Sequence, residues 1–252
     1  MGYNTEAEFL AIFMALFIIL VLGVIFKYTL RNVTENLRHV PLIVTAVCLL
    51  VFEVVKQSYH LINGDWNTWH IPLHFCSYFL VWYGVALFTR GKVRQVMYTC
   101  SLVGGVLVSL LLCIAPDMIL HNATTDVFGS FDHFHTYFYH MGVMAYWIWM
   151  LMLNVYHPQK KQLSTSLILH AIFFFFTIIG AHIFQTNYTN VLYSDIGIME
   201  NLRLNAGQFT YTVVFFAVGA LAVCIVSSTI HFVLRKLYRE NVEQDELTAE
   251  QH

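Results

Sequence analysis

The chain has 252 residues, of which 58% are hydrophobic and 11% charged, against about 25% charged in an ordinary soluble domain. Thirteen basic and fifteen acidic residues give a formal charge of −2, which offers no electrostatic footprint for nucleic acid. Long apolar runs near the ~20 residues that cross a bilayer exclude a soluble enzyme, a secreted disulfide scaffold and a disordered chain. The expected class is an all-α integral membrane protein, a seven-transmembrane helix bundle.

In chain order the predicted spans are 9–26, 40–61, 71–88, 96–115, 134–156, 163–184 and 209–234. In hydrocarbon the backbone must bond to itself, so each run is read as a helix. Eleven of the thirteen basic residues fall on the first, third and fifth loops and the C-terminal end, from Lys27, Arg31 and Arg38 to Arg235, Lys236 and Arg239. Arg203 falls on the opposite side, and Lys56 lies within a span. The excess of basic residues on cytoplasmic loops places the N-terminus outside and the C-terminus in the cytoplasm. Glu6 and Glu8, with no basic stretch, do not suit a cleavable signal peptide. Residues 1–239 read as the transmembrane domain and 240–252 as a short, mobile, acidic cytoplasmic tail. All five cysteines lie in apolar runs, against a disulfide framework; only Cys76 and Cys113 share the outer face, the one pair a bridge could join.

That direction sorts the histidines. His60, His70, His74, His121, His133, His135, His140 and His182 map to the outer side, and His39, His157, His170, His231 and His252 to the inner side or tail. The second span carries Glu53, Lys56, Gln57 and His60, whose offsets of three, four and seven put them on one helix face. Ionisable groups at membrane depth are costly and mark a site by default; the plainer reading is a self-neutralising Glu53–Lys56 pair that fixes packing. Trp66 and Trp69 fit an interfacial aromatic belt.

The third span opens on Trp69-His70-Ile71-Pro72-Leu73-His74-Phe75-Cys76, with Pro72 suited to a first helical turn. At about 1.5 Å per residue, Cys76 and His140 lie roughly 8 and 9 Å below the outer boundary. A thiol and an imidazole at one depth point to an activated nucleophile with its general base, although a membrane cysteine by itself is usually an apolar filler. His133, His135 and His140, with His70 and His74, also form a set that imidazole-loving metals would suit. No HExxH or CxxC spacing supports that set, and no cofactor is expected.

The stretch IPLHFCSYF (71–79) resembles the LPLHLC signature of the YwaF-type integral membrane proteins of bacteria. Pro116, His140 in FYHMG and the tripeptide Thr186-Asn187-Tyr188 match in order and spacing, so the likeness covers roughly 69–215. Those proteins are similar to an animal family of transmembrane acyltransferases that remodel ether phospholipids through a cysteine and a histidine. The resemblance implies Cys76 as nucleophile and His140 as its base. Ser77 stands where many bacterial relatives carry an acidic residue.

The expected function is a lipid acyltransferase of a bacterial cell membrane, acting near the outer leaflet on membrane phospholipids through a thioester on Cys76. His74 would orient His140 or donate to the oxyanion. Lys56, backed by Glu53, would hold a lipid phosphate, with Gln57, His60 and His182 lining the pocket and Asn187 and Tyr188 closing it. The alternatives are a solute or proton pathway along the polar stripe and a metal or haem site on the outer histidines.

Overall fold

The computed structural model describes residues 5–114, 116–120, 123, 126–194 and 196–249, so His121 and His252 lie outside the described residues. The helices are α1 Thr5–Thr29, α2 Glu35–Arg38, α3 Val40–Asn63, α4 Tyr78–Phe88, α5 Gly91–Ile114, α6 Asp117–Leu120, α7 Phe131–Met152, α8 Lys160–Phe184 and α9 Gly197–Ala249. Short 3₁₀ turns stand at Thr68–His70, Phe75–Ser77 and Tyr188–Asn190. No strand occurs among the described residues. Five segments are long and apolar enough to cross a membrane: Phe9–Thr29, Val40–Asn63, Gly91–Ile114, Lys161–Phe184 and Gly197–Leu234. They coincide with five of the predicted runs and make the chain a multi-pass helical membrane protein.

The other two runs differ in instructive ways. The fifth run becomes α7, which has 22 residues but carries three histidines, three tyrosines and two tryptophans that dilute its hydropathy. It starts earlier than its apolar run because the Ser130 hydroxyl accepts from the His133 N–H and caps the helix, with Asp132 favourable in the first turn. The third run is not one helix. The chain is extended at Ile71 and again at His74, turns into a 3₁₀ helix at Phe75–Ser77, and becomes α-helix only at Tyr78. Pro72 biases the preceding Ile71 to extended backbone, so it lies before the helix and not in its first turn.

α5 is the axis of the bundle. Of its most apolar stretch 61% is buried, against 17–22% in the other four candidate spans. Ser101, Gly104, Gly105 and Ser109 let its neighbours approach closely. A Cβ on Gly105 would stand 2.5 Å from the Trp147 ring of α7, whose indole N–H is held at 3.1 Å by Ser109. Gly105→Ala is therefore expected to cost about 1–3 kcal/mol through overpacking, seen as a lower unfolding midpoint in detergent. α4, α7, α8 and α9 pack on α5, while α1 and α3 pack on α7. Tyr83, Tyr98 and Tyr146 fill the centre, with Tyr83 and Tyr146 rings 4.1 Å apart.

The last helix is interrupted at Gly207, whose φ of 84° and ψ of 164° suit only glycine. The predicted seventh span begins two residues after this break. Beyond it α9 runs on to Ala249.

Candidate functional site

The extended segment at Ile71 to His74 delivers the helix-starting turn Phe75–Ser77 into the bundle, and bonds from three other elements hold it there. Thr177 of α8 donates to the Leu73 carbonyl at 3.1 Å. The Phe75 N–H, the first orphan donor of the new helix, donates to the Thr189 hydroxyl at 2.8 Å. Tyr139 of α7 donates to the Cys76 carbonyl at 3.0 Å. Thr189 adopts φ 52° and Asn190 φ 60°, left-handed conformations that a β-branched threonine normally avoids. The hydroxyl that caps Phe75 comes from that strained residue. Thr189→Val removes this acceptor while keeping shape, and a loss of about 1 kcal/mol is expected in unfolding measurements.

The thiol so placed meets an imidazole. Cys76 Sγ lies 2.9 Å from His140 Nε2. His140 Nδ1 lies 2.7 Å from the Thr136 carbonyl one turn earlier on α7. A carbonyl can only accept, so Nδ1 carries the proton, and the neutral ring presents its Nε2 lone pair to the thiol. The tautomer is thus set by helix backbone, and the ring is a ready acceptor for the sulfur's proton. Cys76 sits in the 3₁₀ turn that leads directly into α4. All five cysteines are free thiols, so no Cys76–Cys113 bridge forms.

The polar stripe of α3 reaches the same region. Glu53, 8% exposed, accepts from Lys56 Nζ at 2.8 Å and from the Gln57 amide at 2.8 Å through the same oxygen. Its other oxygen lies 3.5 Å from His135 Nε2, which makes no hydrogen bond at that distance. His135 stacks on Tyr139, so one ring connects the carboxylate cluster to the residue bonded to Cys76. Gln57 also donates to the His70 carbonyl and accepts from Trp66 Nε1 at 2.8 Å, tying α3 to the loop before Cys76.

His60 is buried between two carboxylates, with Nδ1 3.0 Å from Asp65 and Nε2 2.8 Å from Asp132. Only a ring protonated on both nitrogens satisfies both partners. His70 stacks on it at 3.8 Å, and burial, then the neighbouring His60, hold the His70 ring below the usual histidine range. His60 thus fastens the C-terminal end of α3 to the first turn of α7.

The remaining predicted site residues serve the loops. His74 Nε2 donates to the Trp69 carbonyl at 3.3 Å, and its ring lies edge-on to Trp69 and Tyr188. Asn187 accepts from the Leu192 and Tyr193 N–H groups, and its amide donates to the Tyr193 carbonyl, closing its own loop. Tyr188, fully buried, donates to the Thr68 carbonyl. His182 is exposed on the last turn of α8, where its carbonyl accepts from Gln185. Sequence reasoning did not single out Thr136, Tyr139, Thr177, Thr189, Asp65 or Asp132. Tyr139 falls four residues after His135 on one helix face, and Thr189 follows the flagged Thr-Asn-Tyr; both signals were available. No three His, Cys, Asp or Glu side chains converge as a metal set among the described residues.

No curated protein and no solved structure matches the chain. The model of one sequence family matches residues 2–228, nearly the whole chain. The chain belongs to the TMEM164 family.

Proposed function

We propose that the chain is a membrane-embedded Cys/His lipid acyltransferase. The observation that carries this reading is the 2.9 Å contact between Cys76 Sγ and a His140 Nε2 whose lone pair is fixed by the Thr136 carbonyl. In the first half-reaction the sulfur attacks a phospholipid acyl ester, and its proton passes to Nε2. The carbon–sulfur bond forms, the ester carbon–oxygen bond breaks, and the leaving lysolipid oxygen takes the proton from Nε2. In the second half an acceptor hydroxyl or amine gives its proton to Nε2 as it attacks the thioester. The sulfur then leaves and recovers that proton. His74, two residues before the thiol, gives its Nε2–H to the Trp69 carbonyl and is proposed as a positioning residue of the turn, with Lys56 the proposed phosphate contact.

On this reading all seven runs cross the membrane with the N-terminus outside, and the pair works beneath the outer surface. The likeness of residues 71–79 to the YwaF-type signature, and with it a bacterial membrane as the setting, belongs to the same proposal. The test is mass spectrometry of the protein after incubation with phospholipid vesicles. An acyl adduct on Cys76 that hydroxylamine removes is expected; active protein without such an adduct rules the thioester out. Proton or solute flux through Glu53, lost in Glu53→Gln vesicles, is the outcome that would favour a transport pathway instead.

A further inference from the structure

An apolar cavity of about 270 Å³ opens between α8 and α9, lined by Leu167, Ala171, Phe174, Phe216, Ala220 and Val223 among others. Its polar lining is nearly nil: His170, also in the wall, has its Nδ1 satisfied at 2.8 Å by the Ser166 carbonyl of its own helix. Nothing there recognises a headgroup, and the volume falls just below the ~300–1,000 Å³ of ordinary ligand pockets, which suits part of one chain better than a whole diacyl lipid. Ala171, Ala220 and Cys224 are exposed, so the cavity is open on its outer flank.

Its inner wall is shared with the reactive turn. Phe75, the residue before Cys76, packs its ring 6.2 Å from Phe174 and 6.4 Å from His170, centroid to centroid. Phe174 packs in turn on Phe215 and Phe216 of α9. Its ring approaches Gly219 so closely that a Cβ there would lie 3.3 Å from it. One layer of aromatic rings therefore separates the cavity from the turn that carries the thiol.

From this geometry we infer that the α8–α9 cavity holds the hydrocarbon chain of the acyl group carried by Cys76, with Phe75 and Phe174 forming the wall along which the chain passes. The inference rests on the acyltransferase reading and adds its chain-selecting site. The chain enters sideways from the bilayer, and the depth of the cavity sets which lengths are retained.

The experiment uses the full-length protein in vesicles containing equal amounts of short-, medium- and long-chain phosphatidylcholine, with the adducts on Cys76 read by mass spectrometry. Ala220→Trp and Ala171→Phe fill the cavity from opposite helices, and gel filtration checks that each is folded. Wild-type adducts are expected to favour longer chains. In both filled variants the ratio should move toward short chains by about tenfold or more, the discrimination a lost apolar subsite gives. Adducts of unchanged length distribution in both folded variants overturn the inference and leave the thioester intact. In parallel, Cys76→Ala protein is irradiated in vesicles of a long-chain phosphatidylcholine bearing a terminal photoreactive group. Labelling of 167–174 and 216–224 that Ala220→Trp abolishes supports the chain site even where wild-type protein forms no adduct, which would remove the thioester alone. Labelling spread over other helices overturns the inference.

Discussion

His140→Ala is expected to slow acyl transfer by about 10²–10⁴-fold, the contribution of a positioned general base, and Cys76→Ala to abolish the covalent adduct. The asymmetry follows from the roles. Without the imidazole the sulfur remains, so slow attack persists; without the sulfur there is no acyl carrier. Thr136 cannot be probed by its side chain, because its backbone carbonyl sets the tautomer. His140→Gln keeps a polar group in that space and should recover little, since an amide cannot shuttle the proton in both half-reactions. The measurement is the acyl composition of membrane lipids from cells expressing each variant at equal levels. Profiles identical to wild type in both single variants would retire the proposed chemistry.

Lys56→Met is the second large effect, and it is one of stability. Lys56 Nζ lies 2.8 Å from Glu53, with side chains 17% and 10% exposed. Removing one partner of a buried pair leaves an uncompensated charge and costs about 3–5 kcal/mol. The lower end of that range is expected here, because Gln57 still donates to the same carboxylate oxygen. Lys56→Met combined with Glu53→Gln should regain most of the loss, since the neutral pair has no charge to strand. Denaturant unfolding in detergent micelles reads both numbers. A single variant within about 1 kcal/mol of wild type would show that water, and not Lys56, solvates Glu53.

How much of this was legible in the sequence depended on the kind of signal. Five apolar runs were read as helices, three of them to within about three residues at each end, because hydropathy at span length is a strong and local signal. A shared depth for Cys76 and His140 was expected, by arithmetic that assumed continuous helix from Ile71, but whether the two side chains face one another was not legible. The chain turns into a 3₁₀ helix only at Phe75, and the contact rests on four fastenings from Thr177, Thr189, Tyr139 and His140 itself. Those fastenings join residues from 63 to 114 positions apart, and no periodicity reports a pairing at that separation. The α3 stripe was visible as an i, i+3, i+4, i+7 pattern, but the partners of its outermost member were not. Asp65 and Asp132 are ordinary loop and first-turn carboxylates until the fold closes them around His60. His182, Asn187 and Tyr188 were chosen for nearness to the outer face, and that criterion does not separate a pocket wall from a loop clasp.

The brevity of α4 has a bearing on the surrounding lipid. It supplies 11 residues, about 16 Å at the usual rise, and the preceding 3₁₀ turn adds about 6 Å. Hydrocarbon is about 30 Å thick. On the proposed seven-span reading, phospholipids bordering α4 would have to accommodate a hydrophobic mismatch, by local thinning or tilt. On the proposed acyltransferase reading, either response would lower their glycerol backbones toward the sulfur, so that the site would reach its esters by deforming the leaflet and not by lifting a lipid out of it.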